Sequence, residues 1–126
     1  MELVIGGVYQ GKLKYAKEKY GLSEADIFTC RETEPPVFGA KCIDKTEEFV
    51  LWCIRNGADP VEIFEKNREK WQSGVILCAD IFCGVVPLEA EMRKWREETG
   101  RLCAYLSAQA DCVTRLFCGI PQRIKE

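Results

Sequence analysis

The run Val75-Ile76-Leu77-Cys78-Ala79 is apolar throughout, with Ser73-Gly74 before it and Asp80 after it. It shows no alternation of apolar and polar residues, so neither of its faces is built for water. A strand buried on both faces belongs to a parallel sheet covered by helices, because the crossovers that join parallel strands lay helices over the sheet. The rest of the chain supplies such crossovers. Glu2 to Ile5 is a short β-rich run that stops at Gly6-Gly7, and Lys12 to Tyr20 has Leu13, Ala16 and Tyr20 at helical spacing before Gly21. Ala25 to Cys30 reads as a second strand. Arg31 to Lys41, with Pro35-Pro36 and Gly39, reads as a loop.

Asp44 followed by Glu47 is a helix-start signal, and the next helix carries Phe49, Val50, Cys53 and Ile54 on one face up to Asn56-Gly57. Asp59-Pro60 starts another helix, with Asp as cap and Pro at the first helical position, running to about Trp71. Gly84 and Pro87 mark a loop after the buried run. Leu88 to Ala110 is the longest helix, with Leu88, Met92, Trp95, Leu102, Leu106 and Ala110 as its apolar stripe and Gly100 inside it. Cys112 to Cys118 is the last strand, closed by Gly119-Ile120-Pro121. The order β-α-β-α-α-β-α-β predicts an α/β fold: a three-layer domain with a mainly parallel sheet flanked by helices.

A chain of 126 residues with no internal repeat and no long linker predicts one domain over 1–126. Apolar residues at 47% and charged residues at 30% exclude disordered and low-complexity classes. Eighteen basic against twenty acidic side chains give a net charge of −2, which argues against a protein that coats nucleic acid or an anionic membrane. No uncharged apolar run approaches the roughly 18 residues of a membrane helix. The N-terminal MELVIGGVYQGK lacks a basic leader region and does not read as a signal peptide, so a cytoplasmic location is expected.

Eight cysteines are many for this length. They include no C-x-x-C pair, and the chain has no histidine, so a zinc or iron–sulfur site is disfavoured. Without an export signal the expectation is reduced thiols packed as small hydrophobes. The missing histidine also excludes Ser-His-Asp triads, Cys-His pairs and H-E-x-x-H zinc sites.

The chemistry-bearing motif is Gly6-Gly7-Val8-Tyr9-Gln10-Gly11-Lys12, a match to G-x-x-x-x-G-K between a predicted strand and a predicted helix. That context marks a P-loop. Glycines let successive N–H groups turn inward around a phosphate, the helix N-terminus adds partial positive charge, and Lys12 would reach the β- and γ-phosphates. The Ser or Thr that should follow the lysine and bind Mg²⁺ is here Leu13, which cannot coordinate a metal. The bland alternative is a glycine-rich turn with a surface lysine.

Asp80, at the end of the buried run, is the second candidate. A carboxylate at the C-terminal end of a central strand lies where α/β proteins bind ligands and where an acid would reach Mg²⁺ or its water. The alternative is a turn aspartate. Arg93, Lys94, Arg96 and Arg101 share the long helix with Glu89, Glu97 and Glu98 and read mostly as a solvated face, with contact of any one to phosphate as the alternative. Glu32, Glu34 and Asp44 flank the Pro-Pro loop and read as surface charge, with substrate contact as the alternative.

Two blocks of the sequence resemble the bifunctional adenosylcobinamide kinase / adenosylcobinamide-phosphate guanylyltransferases of cobalamin biosynthesis. The first is Leu3 to Lys12, similar to that family's N-terminal strand and P-loop. The second is Cys83 to Lys125. It holds a G-[IV]-V-P loop, an R-x-x-x-G-R helix (Arg96, Gly100, Arg101), an A-D-x-V strand (Ala110, Asp111, Val113) and a final G-x-P-x-R-[IL]-K (Gly119, Pro121, Arg123, Ile124, Lys125). Together they cover somewhat under half the chain. Arg31 to Trp71 shows no match, and a middle strand ending in an aspartate is not found there. Ala79-Asp80 stand where the family has Asn-Glu, and Leu13 stands where it has the P-loop serine. The family's guanylyl-histidine intermediate has no counterpart in a chain without histidine.

The resemblance implies a P-loop NTPase-like domain. Gly6, Gly7, Val8, Tyr9, Gln10, Gly11, Lys12 and Leu13 would hold ATP or GTP, Lys12 and Asp80 would be catalytic, and Asp80 would be the acid for Mg²⁺ at a weakened site. It implies kinase-type transfer of a γ-phosphate to a corrinoid amino-alcohol. Family members are oligomers, which makes a homo-oligomer an expectation, although the short chain leaves a monomer open. The alternative is a non-catalytic nucleotide-binding or regulatory relative that has lost both activities. A third reading is a structural remnant that binds nothing, against which the intact Gly11-Lys12 argues.

Overall fold

The computed structural model describes residues 1–8, 10–81 and 88–126. Tyr9 of the glycine-rich motif, and Cys83, Gly84 and Pro87 of the expected loop, lie outside the described residues. The strands are β1 (Glu2–Gly6), β2 (Ile27–Thr29), β3 (Cys42–Asp44), β4 (Val75–Ala79), β5 (Cys112–Phe117) and β6 (Ile120–Lys125). The helices are α1 (Lys12–Tyr20), α2 (Thr46–Arg55), α3 (Pro60–Lys66), α4 (Arg68–Trp71) and α5 (Ala90–Gln109). The strands form one sheet in the order β2-β3-β4-β1-β5-β6. All neighbours are parallel except β5 and β6, which form an antiparallel hairpin.

The register explains the buried run. Every residue of β4 is buried, because β1 pairs with it from Glu2↔Val75 to Gly6↔Ala79 and helices cover both faces. Leu3, Ile43, Ile76 and Val113 point to one face, where Phe49, Val50 and Cys53 of α2, Phe64 of α3, Trp71, and Leu102 and Leu106 of α5 meet them. Val4, Cys42, Val75, Leu77 and Leu116 point to the other, against Ala16, Leu13 and Tyr15 of α1. This is a three-layer α/β arrangement with α1 alone on one face among the described residues. Phe38 plugs the larger core, edge-on to Phe64 at 4.9 Å and to Phe49 at 6.2 Å. Such aromatic contacts contribute about 0.5–1.5 kcal/mol each beyond burial.

The local signals mostly carry through. α1 spans the expected residues and stops at Gly21, whose φ of 62° places it in the left-handed region and lets its N–H reach the Lys17 carbonyl. Asp59 caps α3, its Oδ1 accepting from the N–H groups of Val61 at 3.0 Å and Glu62 at 3.4 Å, with Pro60 at the first position.

Four expectations need correction. Asp44 is not the cap of α2 but the last residue of β3; the cap is Lys45, in a left-handed conformation with φ 55°. The middle strand ending in an aspartate therefore exists in this fold. It is missed because Cys42-Ile43 is too short a run to show a period of two. The helix after Pro60 breaks at Asn67, whose side-chain amide donates to the Ile63 carbonyl at 2.8 Å. Leu88 is not part of the helical stripe: α5 starts at Ala90 and Leu88 is 94% exposed. Ile120-Pro121 does not close the fold but opens β6, joined to β5 by Cys118 (φ 52°) and Gly119 (φ 77°), a two-residue turn with both φ values positive.

Candidate functional site

The site grows out of the C-terminal end of β1, in the middle of the sheet. Gly6 ends the strand beside β5, where a Cβ would stand 2.7 Å from the Leu116 carbonyl oxygen. Any side chain there would force the two central strands apart. Gln10 N–H donates to the Gly7 carbonyl at 3.3 Å, folding the chain back on itself. Gly11 then adopts φ 90°, a region that L side chains rarely enter, and α1 begins at Lys12. The glycines thus stand where the backbone demands them.

Lys12 returns over this turn. Its Nζ donates to the carbonyl oxygens of Gly6 at 3.1 Å and Gly7 at 2.8 Å. The ammonium is held above the turn, at the end of α1 that carries the positive pole of the helix. Asp80 lies beside the same turn. Its backbone N–H donates to the Gly6 carbonyl at 3.1 Å, and its Oδ1 is 3.9 Å from where a Cβ on Gly7 would stand. Sequence-distant Lys12 and Asp80 therefore meet at Gly6-Gly7. Gln10 faces the β5–β6 hairpin, its Oε1 accepting the Cys118 N–H, and Gly119 Cα lies 3.9 Å from the Cβ position of Gly11. Val8 is exposed and lines the adjoining pocket. Leu13 is half-buried, lines the same pocket and packs against the α1-side core.

That pocket, about 270 Å³, lies between the N-termini of α1 and α2 and is lined by Val8, Gly11–Lys14, Asp44, Lys45 and Glu47. Lys45 and Glu47 are lining residues that sequence reasoning missed, and Asp44, read there as surface charge before substrate contact, is buried. Asp44 is 7% exposed; its Oδ1 accepts the Lys45 N–H at 2.9 Å, and its Oδ2 has the Thr29 hydroxyl at 3.5 Å. Burial pushes its carboxyl above the usual range, against the Lys45 N–H and the positive charges of Lys45 and Lys12. Glu47 does a structural job. β3 pairs with β4 only as far as Ile43↔Ile76, so the edge of β4 runs on past its neighbour, and Glu47 Oε1 accepts the Ala79 N–H there at 2.9 Å. Trp95 Nε1 in turn donates to the Glu47 carbonyl at 2.7 Å. The signal for Asp44 in the sequence was its place directly after two apolar residues, the same pattern that singled out Asp80 after Ala79.

The donor set can be tested against Mg²⁺. Among the described residues no group of three or more His, Cys, Asp or Glu could hold a metal. A hard cation that keeps most of its waters needs only one or two carboxylates plus phosphate oxygens, and Asp80 beside the turn satisfies that requirement. Leu13 adds no oxygen. The Lys12 ammonium and the N-terminus of α1 make the turn a place suited to an anion. Arg96, Arg101 and their neighbours lie on α5, and Arg101 is engaged with Asp59 and Glu98, each at 3.0 Å. The cysteines with described geometry are free thiols, and Cys30, Cys42, Cys53, Cys78 and Cys103 are buried. No helix among the described residues is long and apolar enough to cross a membrane. No family model matches this chain, and no curated protein matches it.

Proposed function

We propose that Gly6–Lys12 is a P-loop and that the protein binds a nucleoside triphosphate there as a phosphoryl donor. The observation that carries this reading is the position of Lys12: its ammonium lies over the carbonyls of Gly6 and Gly7, at the N-terminus of α1 and the C-terminal end of a central parallel strand. A phosphate chain seated on the turn would meet the helix N–H groups below and Lys12 above. Gly6, Gly7, Val8, Tyr9, Gln10, Gly11 and Leu13 complete the cradle in this reading. Asp80 would hold Mg²⁺ together with the phosphates, and the ion would supply charge neutralisation for the transfer. The resemblance to adenosylcobinamide kinases names a corrinoid amino-alcohol as acceptor, with a cytoplasmic setting. No histidine is present to carry a guanylyl group.

A second reading has its own observation. Leu13 packs into the α1-side core in place of a metal-binding hydroxyl, which supports a nucleotide-binding relative with weak or no turnover. Calorimetric titration of ATP and GTP, with and without Mg²⁺, on the wild type and Lys12→Ala separates these. Binding by the wild type alone supports the cradle. Binding that ignores Mg²⁺ supports the second reading. Equal behaviour of the two proteins, bound or unbound, removes Lys12 from the site and the proposal with it.

A further inference from the structure

We infer that Gln10 is a positioning residue for phosphate binding, through which the tip of the β5–β6 hairpin holds the glycine-rich turn in shape. The inference rests on the nucleotide reading above and concerns what sets the affinity of that site. Gln10 is gripped on two sides. Its side chain folds back over the start of the turn, with Cγ 3.3 Å from where a Cβ on Gly7 would stand. Its Oε1 accepts the N–H of Cys118. Only the oxygen of a side-chain amide accepts, so this bond fixes which end of the amide meets the hairpin. The backbone bond from Gln10 N–H to the Gly7 carbonyl is long, at 3.3 Å. The turn therefore draws part of its support from outside itself.

The hairpin is placed to give that support. Cys118 and Gly119 form its two-residue turn, inside the closing pair Phe117↔Ile120, so the ladder makes no use of the Cys118 N–H. Cys118 takes φ 52°, uncommon for a residue with a side chain. Gly119 Cα lies 3.9 Å from the Cβ position of Gly11, so the tip also packs against the residue before Lys12. At its other end the hairpin is tied to α5, where Lys125 Nζ donates to the carbonyl oxygens of Ser107 at 2.8 Å and Ala108 at 3.2 Å. β6 is exposed at all six residues and joins neither core cluster. A strand that buries nothing, yet is fastened to α5 at one end and to the turn at the other, works as a splint. Gln10 and Gly11 lead directly into Lys12. A displaced tip would shift the ammonium and the first N–H groups of α1 relative to a phosphate.

The test uses the full chain with ATP and inorganic tripolyphosphate as ligands. It compares the wild type with Gln10→Met, which keeps the length of the side chain and removes the acceptor. Affinity is read by calorimetry, and hydrogen exchange of the Cys118 N–H, followed by nuclear magnetic resonance, reports the hairpin contact itself. Gln10→Met is expected to bind both ligands about tenfold more weakly, the upper range for one lost hydrogen bond. The factor should be the same for each ligand, because the nucleoside takes no part in the contact. Linkage supplies a second arm on the wild type alone. If the closed contact favours phosphate, bound phosphate favours the closed contact by the same factor. Saturating tripolyphosphate should therefore slow exchange of the Cys118 N–H about tenfold in the wild type and leave it unchanged in Gln10→Met. A merely structural role for Gln10 would lower the thermal midpoint without this ligand-dependent slowing. Wild-type affinity in Gln10→Met overturns the inference, and so does exchange in the wild type that ignores tripolyphosphate. Should Gln10→Met fail to fold, the wild-type exchange decides alone. A wild type that binds neither ligand ends the nucleotide reading and the inference together, whereas one that binds both with indifferent exchange ends the inference only.

Discussion

Thr114 on β5 donates a 2.6 Å hydrogen bond to Glu2 Oε2 on β1, joining the two central strands at the end opposite the glycine-rich turn. Glu2 is 4% exposed. Burial alone would raise its carboxyl, yet it is lowered from 4.5 to about 2, because hydrogen bonds from Thr114, Tyr20, Lys19 and Tyr15 outweigh the loss of water. A folded value below the unfolded one stabilises the fold above pH 4.5, and that stabilisation is lost as pH falls from about 4.5 toward 2. The shift corresponds to about 3 kcal/mol. Denaturant titrations across this window should show the wild type weakening steeply. Glu2→Gln should start lower at pH 7 and lack that component of the slope. A variant with the same acid profile as wild type would remove Glu2 from the account.

The turn at Gly11 makes a second prediction. At φ 90° a Cβ costs about 1–2 kcal/mol in backbone strain, and Gly119 Cα lies 3.9 Å from where it would stand. Gly11→Ala is expected to lower the thermal midpoint by several degrees and to weaken ATP binding more than it weakens the fold, because strain would re-aim the first N–H groups of α1. Unchanged affinity would mean that those groups do not meet the ligand.

The parts of the candidate site legible in the sequence were those with strong local chemistry. Gly11 and Lys12 declared themselves through spacing, and Asp80 through its place after a run with no polar face. Asp44 carried the same positional signal, but D-x-x-E also reads as a helix start, so it stood only as a possible substrate contact behind a reading as surface charge. What separates the two readings is Lys45 in a left-handed conformation, which no residue preference foretells. Phe38 was hidden for a related reason: a Pro-Pro loop reads as solvent-facing, and only the packing of Phe49 and Phe64 around that ring shows that the loop is pinned. β6 was lost because all six of its residues are exposed and their pattern reflects no burial.

Thiol reactivity offers a third prediction. Burial pushes the Cys42 and Cys53 thiols up to about 12 and raises Cys30 as well. Cys78, fully buried, is raised by its contact with Cys103 and by burial. Cys118 is exposed at the tip of the β5–β6 hairpin, with its N–H on Gln10. Iodoacetamide on the native protein should modify Cys118 before Cys30, Cys42, Cys53 or Cys78, as read by peptide mass mapping. Because the hairpin tip touches Gln10 and lies beside Gly11, saturating ATP should slow that labelling. Equal rates at Cys118 and Cys42 would contradict the burial, and a rate indifferent to ATP would place the nucleotide away from the hairpin.

Leu13 carries the sharpest trade between fold and chemistry. It lines the pocket and also packs against the core cluster that includes Val4 and Leu77. Leu13→Ser would remove part of that packing, at a cost of about 1–2 kcal/mol for a half-buried leucine. It would also supply the hydroxyl that Mg²⁺ takes at this position beside a phosphate-binding lysine. The expected outcome is a lower thermal midpoint without ligand, together with ATP affinity that gains at least tenfold from Mg²⁺ relative to the wild type. Both halves are needed. A loss of stability with no gain from Mg²⁺ would mean that residue 13 faces only the core, and that Asp80 does not hold a cation within its reach. A gain from Mg²⁺ would place the metal between Asp80 and the start of α1, within reach of residue 13.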